Sequence, residues 1–333
     1  MAREAGVSIA SVSRVINGND CVADFTRTRI LEVIDRLKYV PHYGAHSLVT
    51  RRNNLIGVLL PALHGEFFSQ LVCGIEDAAR RHGMHILISN SSGDEEQDAR
   101  VVAALRGRVG GLLVMASHER PALLAERLPE GVPAVLLNTR CPDRHNNTLM
   151  IDNYGAAVAV MRHLAVCGRR RVVHIAGPRT NSDAAERLRG YRDGLAANWP
   201  GVAPLIIDGD FSQDSGARAA RRIAALPECP DAVFAANDLI AIGAGQALNE
   251  AGFAIPDDLA LVGFDDIPLA NLVTPALTTM RIDIAEFGRR GLERLVRCME
   301  EPDAVHGEME AVRPTLVIRG SCGRGLNNAR ANA

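Results

Sequence analysis

Past residue 54 the sequence alternates short apolar, β-branched runs with longer segments of helical period, and it does so twice. Leu55 to Leu60, Met84 to Ser89, Gly111 to Met115 and Val132 to Leu137 read as buried parallel strands, with Glu66 to His82, Asp94 to Arg106 and Arg120 to Leu128 as the helices between them. The rhythm restarts after Asn153. Strands at Arg171 to Ala176, Pro204 to Asp208, Ala232 to Ala235 and Leu259 to Gly263 alternate with helices at Gly155 to Val166, Asp183 to Asn198, Ser212 to Ala225 and Leu239 to Ala251. Alternation of this kind builds a parallel sheet covered by helices on both faces, so the expected class is α/β with two doubly wound, Rossmann-like lobes. Ligands of such sheets bind beyond the carboxyl ends of the strands, and two lobes can turn those ends towards each other across a cleft.

The first 50 residues have short helical periods and no strand. Val7 to Gly18 begins with Ser8 as a candidate N-cap and ends on Asn17-Gly18, a good C-terminal stop. On a helix Val12, Val15 and Ile16 share one face, while Ala10, Ser13, Arg14 and Asn17 share the other. That small, polar face with one arginine suits the major groove of DNA, and it equally suits an ordinary surface helix. Gly6 can supply a sharp turn from a preceding helix, giving helix-turn-helix. Thr26 to Leu37 carries Ile30, Val33, Ile34 and Leu37 at helical spacing and would close a small all-α core.

A net charge of -2, from 37 Lys+Arg against 39 Asp+Glu, gives no global signature for nucleic acid. The charge is unevenly placed, however. Residues 1–52 hold eight basic residues against five acids, a local +3, which leaves -5 on the rest. Seven scattered cysteines without a C-x-x-C pair suggest neither a disulfide framework nor a metal site, and fit a reducing cytoplasm. Apolar stretches such as Leu112 to Ala116 fall far short of the ~20 residues that span a bilayer, and no apolar signal segment opens the chain, so neither a membrane partner nor secretion is expected. A chain of 333 residues, 47% of them hydrophobic, has ample material for two cores.

Ala5-Gly6-Val7-Ser8, Val12-Ser13-Arg14-Val15-Ile16-Asn17, Thr26-Arg27, Leu37-Lys38-Tyr39-Val40-Pro41 and Ala45-His46-Ser47-Leu48 together resemble the lactose repressor and purine repressor family of bacterial transcription regulators. The likeness continues through Ile56-Gly57-Val58, Gly110 to Val114, Ala236-Asn237-Asp238, Val262 to Asp266 and Pro275 to Thr279, and so runs from residue 1 to about Cys322. It implies a helix-turn-helix head at 1–40, a hinge helix and linker at 41–53, a core at 54–322 like that of periplasmic sugar-binding proteins, and a polar tail at 323–333. Within the core it implies a first lobe of about 54–153 and 282–310, and a second of about 154–281 and 311–322. Heads of the family carry about six further residues ahead of this point, and Met1 stands where Val is common, so a native chain with a longer N-terminus and a complete first helix is expected.

By the same likeness Ile9 and Ala10 face bases, with Arg14, the usual partner of guanine, on the reading face. Ser8, Ser11, Ser13, Asn17, Thr26 and Tyr39 would meet phosphates or fix orientation. The hinge from Ala45 to Val49 would fold on double-stranded operator DNA, with Ala45 and His46 at the minor groove and Leu48 wedged between bases. His46 stands where the family often has arginine. The effector-contacting positions fall on Phe67, Phe68, Asn138, Asp152, Arg187, Phe211, Asn237 and Asp265, a mixture that favours a small polar molecule such as a sugar or sugar derivative. Asn138 stands where the lactose repressor has an acid, and Met115 and Ile282 where it has amides, so the effector is expected to be held differently. The implied function is an effector-switched repressor, homodimeric on a pseudo-palindromic operator, without metal, cofactor or catalysis. No leucine heptad follows Cys322, which fits a dimer.

Blander readings stand beside these. Leu48, Phe67 and Phe68 could be core residues, and Arg187 a surface charge. Asp265-Asp266 resembles an acid/base or metal pair, yet neighbours in a turn after a strand point apart. Gly243-Ala244-Gly245 lacks the full dinucleotide fingerprint and reads as close helix packing. Arg169-Arg170-Arg171 reads as a solvated turn. A solute-binding receptor with the same core is the alternative function, and the basic head argues against it. An enzyme in the cleft would need a nucleophile-base pair, a metal cluster or a phosphate loop, and the sequence offers none.

Overall fold

The computed structural model describes residues 1–16, 21–38, 53–62, 65–90, 95–116, 128, 131–139, 147–301 and 307–323, in two units, 1–53 and 54–333. Asn17, Tyr39, Ala45, His46 and Leu48 lie outside the described residues, as do nearly all of the helix expected from Arg120 and the tail beyond Gly323.

In the first unit Met1 to Val7 form a helical turn closed by the Ala5 and Val7 amides on the Met1 and Ala2 carbonyls. Gly6 then turns the chain at φ +59, a conformation that costs a side chain, and a Cβ there would also meet the Arg29 guanidinium. Helices α1 (Ile9–Ile16) and α2 (Asp24–Leu37) follow. Ala5, Val12, Val15, Val22, Ile30 and Val33 form the core, with Ile34 at its margin. Leu37, expected inside, is 44% exposed. It occupies the last turn of a helix that outruns the eight-residue α1, and Lys38 ends that helix in the left-handed conformation.

The second unit holds two six-stranded sheets. In the first, β1 (Leu55–Leu60), β2 (His85–Asn90), β3 (Gly111–Val114), β4 (Ala134–Leu137) and β5 (Asn147–Ile151) run parallel, with α3 (Glu66–Arg81) and α4 (Glu95–Leu105) between them. The chain then crosses over. α5 (Asn153–Val166), β6 (Val172–Ile175), α6 (Ser182–Asn198), β7 (Leu205–Ile207), α7 (Gln213–Ala224), β8 (Ala232–Ala235), α8 (Asp238–Glu250), β9 (Ala260–Asp265) and β10 (Thr278–Arg281) build the second sheet and its helices. It returns through α9 (Ile284–Glu300) to β11 (Met309–Val312), which pairs with β5, and crosses once more to β12 (Thr315–Val317), antiparallel to β10. The first sheet thus extends to Val312, two residues past the lobe boundary expected at 310.

The three crossings fall at 152, 282–283 and 313–314. The Asp152 amide donates to the Val312 carbonyl at 2.9 Å, and the β10–β12 ladder joins the other two.

Three helix pairs approach through glycine. A Cβ on Gly243 of α8 would lie 1.9 Å from the Gln213 carbonyl oxygen, and one on Gly216 of α7 would lie 2.1 Å from that of Ile240. Cβ atoms on Gly74 of α3 and Gly288 of α9 would lie 1.9 and 2.4 Å from the carbonyl oxygens of Ala285 and Leu71, and Gly190 and Gly194 of α6 lie on Tyr154, Ala157 and Met161 of α5. The glycines at 243 and 216 therefore set how closely their helices pack. Arg169-Arg170-Arg171, by contrast, is not merely solvated: the Asp231 carboxylate accepts from the Arg170 and Arg171 amides, and half-buried Arg169 donates to the Pro256 carbonyl.

Candidate functional site

Among the described residues five non-glycines have positive φ, and four of them lie at the end of strands of the core or beyond them: Asn138 (+50), Phe211 (+67), Asp265 (+107) and Asp266 (+59). Side chains held in this region cost of order 1–3 kcal/mol each, and such strain collects where side-chain position matters more than backbone comfort. Asn138, Phe211 and Asp265 are also effector positions expected from the sequence.

Side chains around Arg187 join the two lobes. From α6, Arg187 is buried, with 4% exposure. Its Nε donates to Asn153 Oδ1 at 2.8 Å, Nη1 donates to the Ala236 carbonyl, Nη2 reaches Asp265 Oδ1 at 3.4 Å, and the guanidinium lies 3.7 Å over the Phe264 ring. Four residues before it, Asp183 accepts from Asn138 Nδ2 at 2.8 Å and from Asn153 Nδ2 at 2.9 Å. The orientation of both amides is forced. Asn138 Oδ1 must face the Ile151 N–H, which it accepts at 2.8 Å, and Asn153 Oδ1 must face Arg187, so each presents its NH2 to Asp183. Only a carboxylate accepts both.

Burial pushes the Asp183 carboxyl up to about 6, although Arg187 and the Asn138 amide pull it down. Burial likewise carries Asp265 to about 6 against the pull of Arg187. Both groups therefore change charge close to physiological pH. Asp183→Asn would leave one NH2 facing another, an unmet donor worth about 1–3 kcal/mol. The expected result is a lower melting temperature at pH 7, with the difference from the unsubstituted chain widening as pH falls from 7 to 5. The sign follows from the raised value, which makes the folded Asp183 bind its proton more tightly than the unfolded chain does. The native residue therefore gains stability on acidification, and asparagine cannot.

Phe211 accepts from Asn237 Nδ2 through its carbonyl at 3.1 Å, while Asn237 Oδ1 caps α8 by accepting the Ile240 amide. Phe67 and Phe68 stand half-buried in the first turn of α3, edge to face at 5.3 Å. Asp152, also expected at the effector, stands at the start of α5. Its carboxylate caps α5 on the Gly155 amide at 2.8 Å, in the first crossing, so it positions that crossing. Asp266 turns away from Asp265 and pairs with Arg281 and Arg319. Met115 and Ile282 are buried core residues. A cavity of about 360 Å³ lies beside Ala184, Leu188 and Arg192 of α6, one residue round the helix from the network, and none of the eight expected effector residues lines it.

Sequence reasoning missed Asp183 and Asn153. It also missed Asp238, fully buried under Thr279 Oγ1 and the Ile267 amide, whose carboxyl is raised by burial and by the charge of Asp265. No group of three His, Cys, Asp or Glu among the described residues could hold a metal ion, and none of their helices is long and apolar enough to cross a membrane.

In the head, Ser8, Ile9, Ala10 and Arg14 are exposed, while Ser11, Ser13 and Thr26 are half-buried. Ser8 Oγ accepts the Ser11 amide at 3.1 Å and so caps α1.

Residues 1–42 match the bacterial regulatory proteins of the lacI family, and residues 161–322 match the periplasmic binding protein-like domain. The chain is 31% identical over 325 residues to the ribose operon repressor of Escherichia coli K12, covering 96% of this chain and 98% of that protein. It resembles the solved lac repressor dimer bound to operator and the anti-inducer ONPF, with a TM-score of 0.87, 28% identity and 97% of each chain covered. It also resembles the transcriptional regulator CelR in complex with cellobiose, with a TM-score of 0.72 and 30% identity over 96% of this chain and 98% of that one. A helical head followed by two parallel-sheet lobes, related over nearly its whole length to these regulators, belongs to the lacI family of bacterial regulatory proteins.

Proposed function

We propose that this chain represses transcription by binding a pseudo-palindromic operator as a homodimer, and that a small polyhydroxylated ligand, a sugar or sugar derivative, switches that affinity from the cleft between the lobes. The observation that carries the reading is the coincidence of strained post-strand residues with the Asn138–Asp183–Asn153–Arg187–Asp265 network. Vicinal hydroxyls offer donors and acceptors at the spacing such a network presents, and Phe211 offers a face for an apolar side of the ring. Asn237, Phe67 and Phe68 complete the proposed wall, and Asp152 serves it through the crossing. The names of the relatives, a ribose operon repressor and a cellobiose complex, support the ligand class.

Ligand entry competes with the Asn138–Asp183 bond between the lobes and changes their angle about the crossings. The proposed hinge at 41–53 and its Leu48 wedge pass that change to the operator, with a coupling of about 1–3 kcal/mol. Phosphate contacts fall to Ser8, Ser11, Ser13, Asn17, Thr26 and Tyr39. Titrating the chain with pentoses, hexoses, disaccharides and nucleobases, with operator binding measured in parallel, tests the proposal. One sugar should bind and shift operator affinity by about 5-fold to 150-fold. A nucleobase that binds in place of every sugar would overturn the ligand class.

Exposed leucines support the dimer: Leu269 and Leu272 around the turn after β9, and Leu87 on the edge strand β2. Their occupant is a second copy of the chain. Leu272→Asp, at a position 74% exposed, should leave folding intact, yield monomers by sedimentation and weaken operator binding, with ligand affinity retained.

A further inference from the structure

The exposed beginning of α1 presents carbon where a hydrogen-bonding reader would present donors. Ile9 is 80% exposed, and Ala10 beside it is exposed. The hydroxyls on either side are turned on each other: Ser8 Oγ lies 3.0 Å from Ser11 Oγ and accepts the Ser11 amide. The opposite face of the helix is already committed to the core through Val12 and Val15, so packing among the described residues of the head does not account for Ile9. Residues 1–52 bear a local +3 charge, which suits an anionic partner. Of the edges that base pairs show in the major groove, the thymine C5-methyl is the apolar one.

We propose that Ile9 identifies thymine by its 5-methyl group, with Ala10 small enough to let the helix approach the base edges, so that this part of the half-site is read by apolar contact alone. The inference rests on the DNA-binding reading above and adds its chemistry. Arg14, exposed towards the other end of the helix, leaves hydrogen-bonded readout to a separate base pair.

Duplexes selected from a random pool by the full chain supply the site, and each thymine is then replaced by deoxyuridine, which removes the methyl and keeps the pairing. At one thymine per half-site the loss should weaken binding about fourfold, as for one methyl-sized group kept from water, and about fifteenfold when both half-sites are changed. Ile9→Ala, at a position outside the core, should weaken binding to the thymine duplex and abolish its distinction from deoxyuridine. Deoxyuridine changes of less than twofold at every thymine would overturn the proposal while DNA binding stands, as would a discrimination that survives Ile9→Ala. A selection that enriches no duplex would overturn the DNA-binding reading and this proposal together.

Discussion

Arg187→Met should destabilise the core by about 3–5 kcal/mol at pH 7, leave operator binding in place and abolish its response to ligand. Methionine keeps the volume and removes every donor. Asn153 Oδ1, the Ala236 carbonyl and Asp265 Oδ1 all lose a partner, and Asp265 becomes a buried charge without its cation. The loss has a pH signature. Asp183 and Asp265 already sit near 6 against an ordinary 3.8, and without Arg187 both rise further. A carboxyl with a raised folded value holds its proton more tightly in the native chain, so stability falls as pH rises through that value and returns on acidification. The deficit of the variant should therefore shrink between pH 7 and pH 5. Buried His174, lowered to about 4, and His163, also lowered by burial, act the other way in both proteins. Because Arg187 helps to hold His174 down, its removal acts in the same direction as the carboxyls. Urea unfolding at the two pH values reads the result, and an unchanged deficit would detach the carboxyls from Arg187.

Gly243→Ala should cost about 2–3 kcal/mol, although alanine in an ordinary helix gains up to about 1 kcal/mol over glycine. The new Cβ would meet the Gln213 carbonyl oxygen at 1.9 Å, a backbone atom that cannot rotate aside, so α7 and α8 must part. Gly216→Ala should behave alike, and the double variant should cost less than the sum, since helices already parted leave room for the second methyl. Two residues along the same helix, Gly245→Ala meets only the tips of the Leu261 and Ile255 side chains, which can give way, and should be nearly neutral. Thermal unfolding of the four variants separates backbone contact from helix propensity.

The alternation of apolar strands with helices was legible because parallel strands covered on both faces are apolar throughout, and β1, β3, β6, β8 and β9 are buried along almost their whole length. Strand β5 opens on Asn147 and Thr148, β11 exposes alternate residues, and β12 is three residues long with its first exposed, so none of these patterns reads as a buried run. Helix α9 hides behind its arginines, one of which, Arg294, is buried against the Thr148 carbonyl and paired with Glu308 and Glu310. Family likeness implied Asn138, Arg187 and Asp265 as effector positions, but Asp183 read as a helix start and Asn153 only as the point where the rhythm restarts. The capping of α6 falls to Asn181, whose Oδ1 takes the Ala184 amide, and this leaves the Asp183 carboxylate to the lobes. Composition cannot tell which of Asn181 and Asp183 caps the helix and which bridges the lobes. Only the fold assigns them.

The crossings at 152, 282–283 and 313–314 stand abreast, tied to one another by the Asp152–Val312 bond and the β10–β12 ladder. Three short tethers side by side resist shear and torsion and leave one soft bend, in the manner of a mechanical flexure. Whatever shape enters the cleft can therefore drive the lobes along a single coordinate. Under the function proposed above, the lining could diverge from one sugar to another while the output motion stays the same, and specificity for the effector would become separable from the command delivered to the operator.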